Sequence, residues 1–244
     1  MGKIISLEFK KNKKMLSRIV IFNLILIVLA LILRIGLGLS NIFRSNILAN
    51  GIFAAGLICF MIFNLAYILS SIHKDLYDSS AYLTFSLPIG RKKYFTSKNI
   101  SFALIYLINI LFLFVIYRIL GYKITSFLAF YFLLGLIWQE LFAQIASLSI
   151  QMARFRQNKM PFVLGVVIFI LVFALGFVLC KYFSIVLVDG AIQKAGPLNY
   201  AFIYPFAIGN YGLYKNFTPL MYYIIMVVLL YFINSNNLDK NLDL

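Results

Sequence analysis

The sequence contains little charge and few of the side chains that build active sites. Only 12% of its residues are charged, about half the share of a soluble domain. There is a single histidine, His73, so a histidine-based metal cluster cannot be built from this chain. The two cysteines, Cys59 and Cys180, lie far apart in apolar runs and give neither a disulfide framework nor a metal-binding spacing. These absences exclude most classes of metalloenzyme and disulfide-stapled protein.

The sequence is rich in long runs of hydrophobic residues. Hydrophobic residues make up 63% of the chain, and they come in runs of about 20, the length that a helix needs to cross a bilayer. We therefore expect an all-α, polytopic membrane protein with six transmembrane helices in one domain, 1–244. The predicted spans are 19–39, 47–70, 100–120, 127–150, 162–179 and 217–233.

The cations indicate how the chain is oriented. A net charge of +15 could suggest nucleic-acid binding, but the cations lie between the apolar runs and not on a soluble face. With the N-terminus inside, 15 of the 22 lysines and arginines face the cytoplasm. The positive-inside rule then predicts a multi-pass protein of the cell membrane with both termini cytoplasmic, and no nucleic-acid partner.

The N-terminal segment, 1–18, has an amphipathic pattern. One arc of a helical wheel holds Ile4, Ile5, Phe9, Met15 and Leu16, and the opposite side holds Lys3, Lys10, Lys13 and Lys14. This pattern predicts a basic helix lying in the cytoplasmic interface. The alternative is a disordered basic tail that only fixes the topology.

The fourth predicted span carries an unusual polar face. Glu140, Gln144, Ser147 and Gln151 are spaced at i, i+4, i+7 and i+11, which places them on one side of a helix. Lipid offers such groups no partners, so the face must point into the protein, a partner subunit or a wet cavity. Two interpretations stay open: hydrogen bonds between helices, or the lining of a transport path with an ion or proton site.

Isolated polar residues occur in other spans. Asn23, Asn64 and Asn109 are single amides that we expect to hold helices together. Arg34, near the outer end of the first span, either snorkels to the headgroups or has a specific partner. The fifth span has no polar side chain, and we expect it to face lipid or serve as scaffold.

The segment 180–216, between the last two spans, is too apolar for a free loop and too interrupted for a span. It is rich in aromatic residues and contains Pro205, Gly209 and Gly212. These features predict a re-entrant or interfacial hairpin on the outer side, with its tyrosines at the headgroup level.

The loop 71–98, between the second and third spans, includes the sequence YLTFSLPIGRKKYFTSK. Asp75 or Asp78 can cap a short amphipathic helix that runs to Leu87. Pro88 ends that helix and can start the next one, which enters the membrane as the third span. The cations alone would only hold this loop inside; the amphipathic helix before the break needs another reason.

This pattern resembles the first cytoplasmic loop of the permeases of type-2 ABC exporters. In that family an amphipathic coupling helix runs into a Leu-Pro, a small residue and an arginine, followed by a lysine where the third span starts. The matching residues here are Leu87, Pro88, Gly90, Arg91 and Lys98. The likeness extends to the layout of the whole chain. Where many members have an acidic residue and Gly-Thr before the coupling helix, this chain has Asp75, Asp78, Ser79 and Ser80.

The resemblance implies a permease subunit that exports an amphipathic peptide, drug or lipid-like substrate. It implies a second permease chain, identical or related, and a separate ATP-binding subunit that carries ATP and Mg²⁺, with no cofactor in this chain. The sequence lacks a Gly-x-x-x-x-Gly-Lys-Ser/Thr loop, so we expect no ATP hydrolysis by this chain alone. The residues that the resemblance assigns to coupling are Asp78, Ser79, Ser80, Tyr82, Leu83, Leu87, Pro88 and Arg91.

Two other functions compete with this one. The chain could be an immunity or sensor protein that binds without pumping, which would not copurify with an ATPase. It could also be an intramembrane enzyme, but metal-dependent intramembrane proteases need clusters of histidine and acidic residues inside their spans. Here only Glu140 is available within a predicted span.

Overall fold

A computed structural model describes residues 2–36, 42–77, 90–123, 126–155, 161–183, 185–188, 191–194, 202–203, 206–207 and 215–241. Within these ranges the chain is mostly helical. The helices are α1 (Gly2–Lys11), α2 (Lys13–Gly36), α3 (Ile42–Tyr77), α4 (Arg91–Ile119), α5 (Ser126–Phe155), α6 (Pro161–Tyr182) and α7 (Phe217–Asn241). Short strands lie between α6 and α7.

Six of the described helices are long and apolar enough to cross a membrane. Their apolar stretches are Lys13–Ile35, Ala55–Asp75, Lys92–Ile119, Phe132–Met152, Phe162–Leu179 and Phe217–Leu238. The prediction of a helical, multi-pass membrane protein with six spans is therefore confirmed. Most of the helices extend beyond the predicted spans, because their polar ends are helical as well.

The N-terminal segment is helical but not continuous. α1 ends at Lys11 and α2 begins at Lys13, with Asn12 between them accepting backbone hydrogen bonds from Met15 and Leu16 through its carbonyl. The side of α1 that packs against the protein contains Ile4 and Glu8, whereas Leu7 is 54% exposed. A carboxylate thus lies on the packed side of this helix. The interfacial position of α1 stays a prediction.

By its internal contacts the chain divides into two compact units. The first comprises Met1–Ile68 and Thr96–Thr125, and the second comprises Leu69–Phe95 and Ser126–Leu244. The core of the first unit includes Leu26, Ala30 and Ile116, so α2 and α4 pack together through small and branched side chains.

Three buried amides connect the helices of the first unit. Asn23 Nδ2 donates to Asn109 Oδ1 at 2.9 Å, and Asn109 Nδ2 donates to Asn64 Oδ1 at 3.0 Å. Asn109 is therefore the middle member of a chain that joins α2, α4 and α3. Each amide had been expected to hold helices together, and here they do so as one network.

The C-terminus of α4 is closed by a Schellman motif. Gly121 has a φ of 91°, and the amides of Tyr122 and Gly121 donate to the carbonyls of Tyr117 and Arg118. Arg34 Nη1 donates to the next carbonyl, that of Ile119, at 2.8 Å. Of the two alternatives for Arg34, the structure provides the specific partner: the end of α4.

In the second unit, α5 is central and α6 is peripheral. Of the apolar stretch of α5, 72% is buried within the chain, against 11% of that of α6. Trp138 of α5 packs against the rings of Phe142, Phe169 and Phe173, with centroid distances of 6.1, 6.4 and 6.3 Å. The fifth span is therefore mostly exposed within the described chain, and its role as a lipid-facing or scaffold helix stays a prediction.

The close approach of α6 and α7 depends on a glycine. The Tyr222 hydroxyl donates to the carbonyl of Val172 at 2.6 Å, which holds the ring over Gly176. A Cβ at position 176 would lie 2.7 Å from Tyr222 Cε1. Glycine is therefore required where the two helices meet.

Between α6 and α7 the described residues form β1 (Ile185–Val188), β2 (Ala191–Lys194), β3 (Phe202–Ile203), β4 (Phe206–Ala207) and β5 (Lys215–Asn216). β1 pairs antiparallel with both β2 and β5, in the register Val188↔Ala191 and Val186↔Asn216. β3 pairs with β4. Thr218 Oγ1 links α7 to this sheet, since it accepts from the Ile185 amide and donates to the Phe183 carbonyl. The sequence had not predicted these strands, and a re-entrant path for 180–216 stays a prediction.

Candidate functional site

The first candidate site is the loop between α3 and α4. Most of the residues assigned to coupling lie outside the described part of the chain, namely Asp78, Ser79, Ser80, Tyr82, Leu83, Leu87 and Pro88. Arg91 is described as the first residue of α4, but its side chain is not. What the structure describes is the base of the loop, on both sides.

The two sides of the loop base are joined by a short hydrogen bond. The Tyr94 hydroxyl donates to Asp75 Oδ2 at 2.6 Å, and both residues are buried. Hydrogen bonds to a carboxylate are about twice as strong as those between neutral groups. The end of α3 and the start of α4 are therefore fastened together where the loop leaves and returns.

The next residue anchors the loop base to the last span. The Phe95 ring stacks on the Tyr231 ring of α7, with a centroid distance of 5.5 Å and an interplanar angle of 28°. Phe95 is only 5% exposed. Consecutive residues of α4 thus contact α3 and α7, so the first turn of α4 is held from two directions.

Further along α4, in the first unit, a buried lysine interacts with α1. Lys98 and Glu8 are 3% and 4% exposed, and the Glu8 charge acts favourably on the Lys98 ammonium. Nearby, the Tyr67 hydroxyl faces Asn12 and Ser101 without completing a hydrogen bond of good geometry. Lys98 is one of the residues on which the family resemblance rests. In the structure it connects α4 to α1 electrostatically.

The second candidate site is the polar face of α5. Gln144, Ser147 and Gln151 are all at most 3% exposed. Asn234 of α7 donates through Nδ2 to both the carbonyl and Oε1 of Gln144, each at 2.9 Å. Gln151 Nε2 donates to Ser147 Oγ at 2.9 Å. The face is turned into the second unit and meets α7, as the interhelical interpretation requires.

Glu140 is the carboxylate of this face. It is half-buried, and its Oε1 atom is fully buried without a hydrogen bond to any residue in the described ranges. Gln151 Oε1 is likewise buried without a hydrogen bond to a described residue. An oxygen in either position can accept a cation, and the carboxylate can also accept a proton, so the structure leaves the transport interpretation open for Glu140 and Gln151. Among the described residues, no three His, Cys, Asp or Glu side chains cluster as metal ligands would.

Sequence reasoning missed several of these residues. Tyr94, Phe95 and Tyr231 were not singled out, and nothing in their spacing indicated which helix each would meet. Glu8 is the one acidic residue of the basic helix α1, and a single carboxylate among cations could have indicated a buried partner. Asn234 is one of four asparagines close to the end of α7, and only its 3.6-residue periodicity with Tyr223 and Leu230 would have placed it inside.

Comparison with protein-family models, curated proteins and solved structures gives no match to this chain. The contacts at the loop base and on the polar face are therefore described from this chain alone.

Proposed function

We propose that this chain is the permease subunit of an ABC exporter, driven by a separate ATP-binding subunit that docks on the loop between α3 and α4. The cargo would be an amphipathic peptide, drug or lipid-like molecule. The chain would act with a second permease chain in the cell membrane, with both termini cytoplasmic. Its own part would be to convert movement of the loop into movement of the spans.

The observation that carries this proposal is the bond between Tyr94 and Asp75. A loop that only sets the membrane topology needs its cations, but the two helix ends that flank it need not be bonded to each other. Here the base is fastened by a 2.6 Å bond to a carboxylate and by the stack of Phe95 on Tyr231. Because both ends of the loop are held, a force on residues 78–89 is transmitted to α3, α4 and α7 and is not absorbed by slack in the chain.

The electrostatic interaction between Glu8 of α1 and Lys98 of α4 supports the same role. Lys98 lies two turns after Arg91 on one continuous helix, and it interacts with Glu8 of α1. A movement of the first turns of α4 would therefore also displace α1. Under this proposal α1 lies in the cytoplasmic interface, and the segment 180–216 forms a re-entrant element on the outer side.

The proposal is tested by purifying the tagged chain from its native membranes in mild detergent. We expect an ATP-binding subunit to copurify, and its ATPase rate to respond to this chain. Replacing Leu83 and Leu87 with Asp should abolish copurification or uncouple ATPase activity, because a charged pair cannot occupy an apolar docking groove. The matched control replaces the same two leucines with Met, which keeps the volume and polarity.

Two outcomes would contradict the proposal. If no ATP-binding subunit accompanies the chain, a non-pumping immunity or sensor protein becomes the better assignment. If the Asp variants bind the subunit and support its activity as the native chain does, the loop is not the coupling element. A reporter that is active only outside the cell, fused after Leu244, should stay inactive; activity there would overturn the proposed orientation.

A further inference from the structure

The short sheet between α6 and α7 is fixed at the ends of two spans. β5 ends at Asn216, and α7 and its apolar stretch both begin at the next residue, Phe217. β1 pairs with β5 in the register Val186↔Asn216. β1 therefore lies one strand spacing, about 4.8 Å, from the residue that precedes the span.

A side chain of α7 holds the start of β1 in the same place. Thr218 Oγ1 accepts a hydrogen bond from the Ile185 amide at 2.9 Å and donates one to the Phe183 carbonyl at 2.8 Å. Phe183 follows α6, whose apolar stretch ends at Leu179. The sheet is thus bonded to the first turn of one span and follows the last turn of another, so it lies at the level where hydrocarbon gives way to headgroups.

The register of β1 and β2 places two isoleucines on one face of the sheet. Ile185 is opposite Lys194, and Leu187 is opposite Ile192. Residues directly opposite each other, or two apart on one strand, share a face. Ile185, Ile192 and Lys194 therefore share one face, and Ala191 belongs to the other. The chain does not cover the two isoleucines, since Ile185 is 47% exposed and Ile192 is 75% exposed.

Lys194 limits how deeply this face can lie in a membrane. Its side chain is exposed, and an ammonium ion is costly in the hydrocarbon core but stable among phosphate groups. Among the described strands β2 pairs only with β1, and an open sheet edge also needs water or headgroups for its backbone groups. Tyr182, an exposed residue at the end of α6, is of the type that concentrates at membrane interfaces. These features favour the interface over the core.

We propose that this face of the β1–β2 hairpin lies on the phospholipid bilayer, with Ile185 and Ile192 among the first carbons of the acyl chains and Lys194 at the phosphate groups. A second copy of the chain is a poorer occupant, because pairing through the same face would bring another lysine into an apolar contact. The proposal does not depend on the transport function. Of the two forms predicted for 180–216, it assigns 185–194 to the interfacial one and leaves a re-entrant path to the residues after β2.

Two neighbouring residues provide a matched pair of probes. Ala191 and Ile192 are both exposed, but they lie on opposite faces of the sheet. Each would be replaced by tryptophan, the variants reconstituted into phosphatidylcholine vesicles, and the fluorescence of the native chain, which comes from Trp138, subtracted. Lipids brominated near the headgroup end or near the chain end of the acyl group, and iodide in the water, serve as quenchers.

We expect Ile192→Trp to give blue-shifted emission that loses most of its intensity to lipids brominated near the headgroup end. Ala191→Trp should emit at longer wavelength and be quenched mainly by iodide. Equal lipid quenching of the two variants would overturn the proposal, because the face would then not matter. So would stronger quenching of Ile192→Trp by bromine at the chain end, since this residue would then lie in the hydrocarbon core.

A second measurement uses the native chain and is independent of folding in the variants. Vesicles would contain phosphatidylcholine with a photoactivated carbene precursor near the headgroup end of an acyl chain, and the labelled residues would be located by mass spectrometry. We expect label at Ile185 and Ile192 and little at Ala191. Absence of label from 185–194 would refute the proposal. Cross-linking between two copies through Ile192→Cys, without lipid label on the native chain, would identify a second copy as the occupant and would equally refute it.

Discussion

The hydroxyl of Tyr94 and the carboxylate of Asp75 are 2.6 Å apart, although a loop of more than a dozen residues separates them. Both are buried, so the bond is shielded from competing water. It closes the loop where α3 ends and α4 begins.

Tyr94→Phe should remove the hydrogen bond to Asp75. We expect a loss of about 1.5–3 kcal/mol in the free energy of unfolding, the range for hydrogen bonds to charged groups, because a buried carboxylate loses one of its interactions. Asp75→Asn keeps an acceptor and should cost roughly half as much. Denaturation in mixed detergent micelles measures both. If Tyr94→Phe is as stable as the native chain, the loop base is not held by this bond.

The amide network of the first unit predicts an order among leucine substitutions. Asn109→Leu breaks two bonds and should cost about 1–2 kcal/mol, whereas Asn23→Leu breaks one and should cost about half of that. The triple variant with leucine at positions 23, 64 and 109 should be more stable than Asn109→Leu alone, because no amide is left buried without a partner. Equal stabilities of the two single variants would contradict the central position of Asn109.

The contact between α5 and α7 predicts a contrast between two nearby asparagines. Asn234→Leu removes the bonds to Gln144 and should destabilise the chain by about 1–2 kcal/mol. Asn236 is exposed, so Asn236→Leu should change stability by less than about 0.5 kcal/mol. Adding Gln144→Leu to Asn234→Leu should cost little more than Asn234→Leu alone. Additive losses would mean that the two residues act independently.

Two glycines on different helices should respond to alanine in opposite directions. Gly176→Ala places a Cβ 2.7 Å from the Tyr222 ring, and we expect a loss of about 1–3 kcal/mol from overpacking. Gly51 has no atom within 4 Å of the position of a Cβ, so Gly51→Ala should be neutral or stabilising by up to about 1 kcal/mol. Thermal unfolding of the two variants under the same detergent conditions makes the comparison. A neutral Gly176→Ala would show that α6 and α7 can separate.

The spans could be predicted from the sequence because hydrocarbon length is a local property. The partners of polar residues could not. Asn23 and Asn109 are 86 positions apart, and Gln144 and Asn234 are 90 apart. A periodic pattern shows that a side chain faces inward, but not which helix it meets. The polar face of α5 was visible in the i, i+4, i+7 spacing, whereas its partner on α7 depends on helix packing.

The start of α4 was indicated by local signals and not by hydropathy. The apolar span was expected from residue 100, but Pro88 predicted that the helix itself starts earlier, and α4 is described from Arg91. Its first turns bury Tyr94, Phe95 and Lys98. The cations of this stretch lower its mean hydropathy, so a hydropathy profile places the start of the span after them. Tertiary contacts make the same stretch part of the helix.

The hydrogen bond from Arg34 to the end of α4 changes how the charges of this chain are counted. A helix C-terminus carries a partial negative charge of about half an elementary unit, and the guanidinium lies against it, 2.8 Å from the Ile119 carbonyl. In the folded chain this partial charge offsets part of the charge of the guanidinium. In the proposed orientation Arg34 is among the minority of cations on the outer side, so under that proposal the charge difference between the two sides would be larger than a count of lysines and arginines implies.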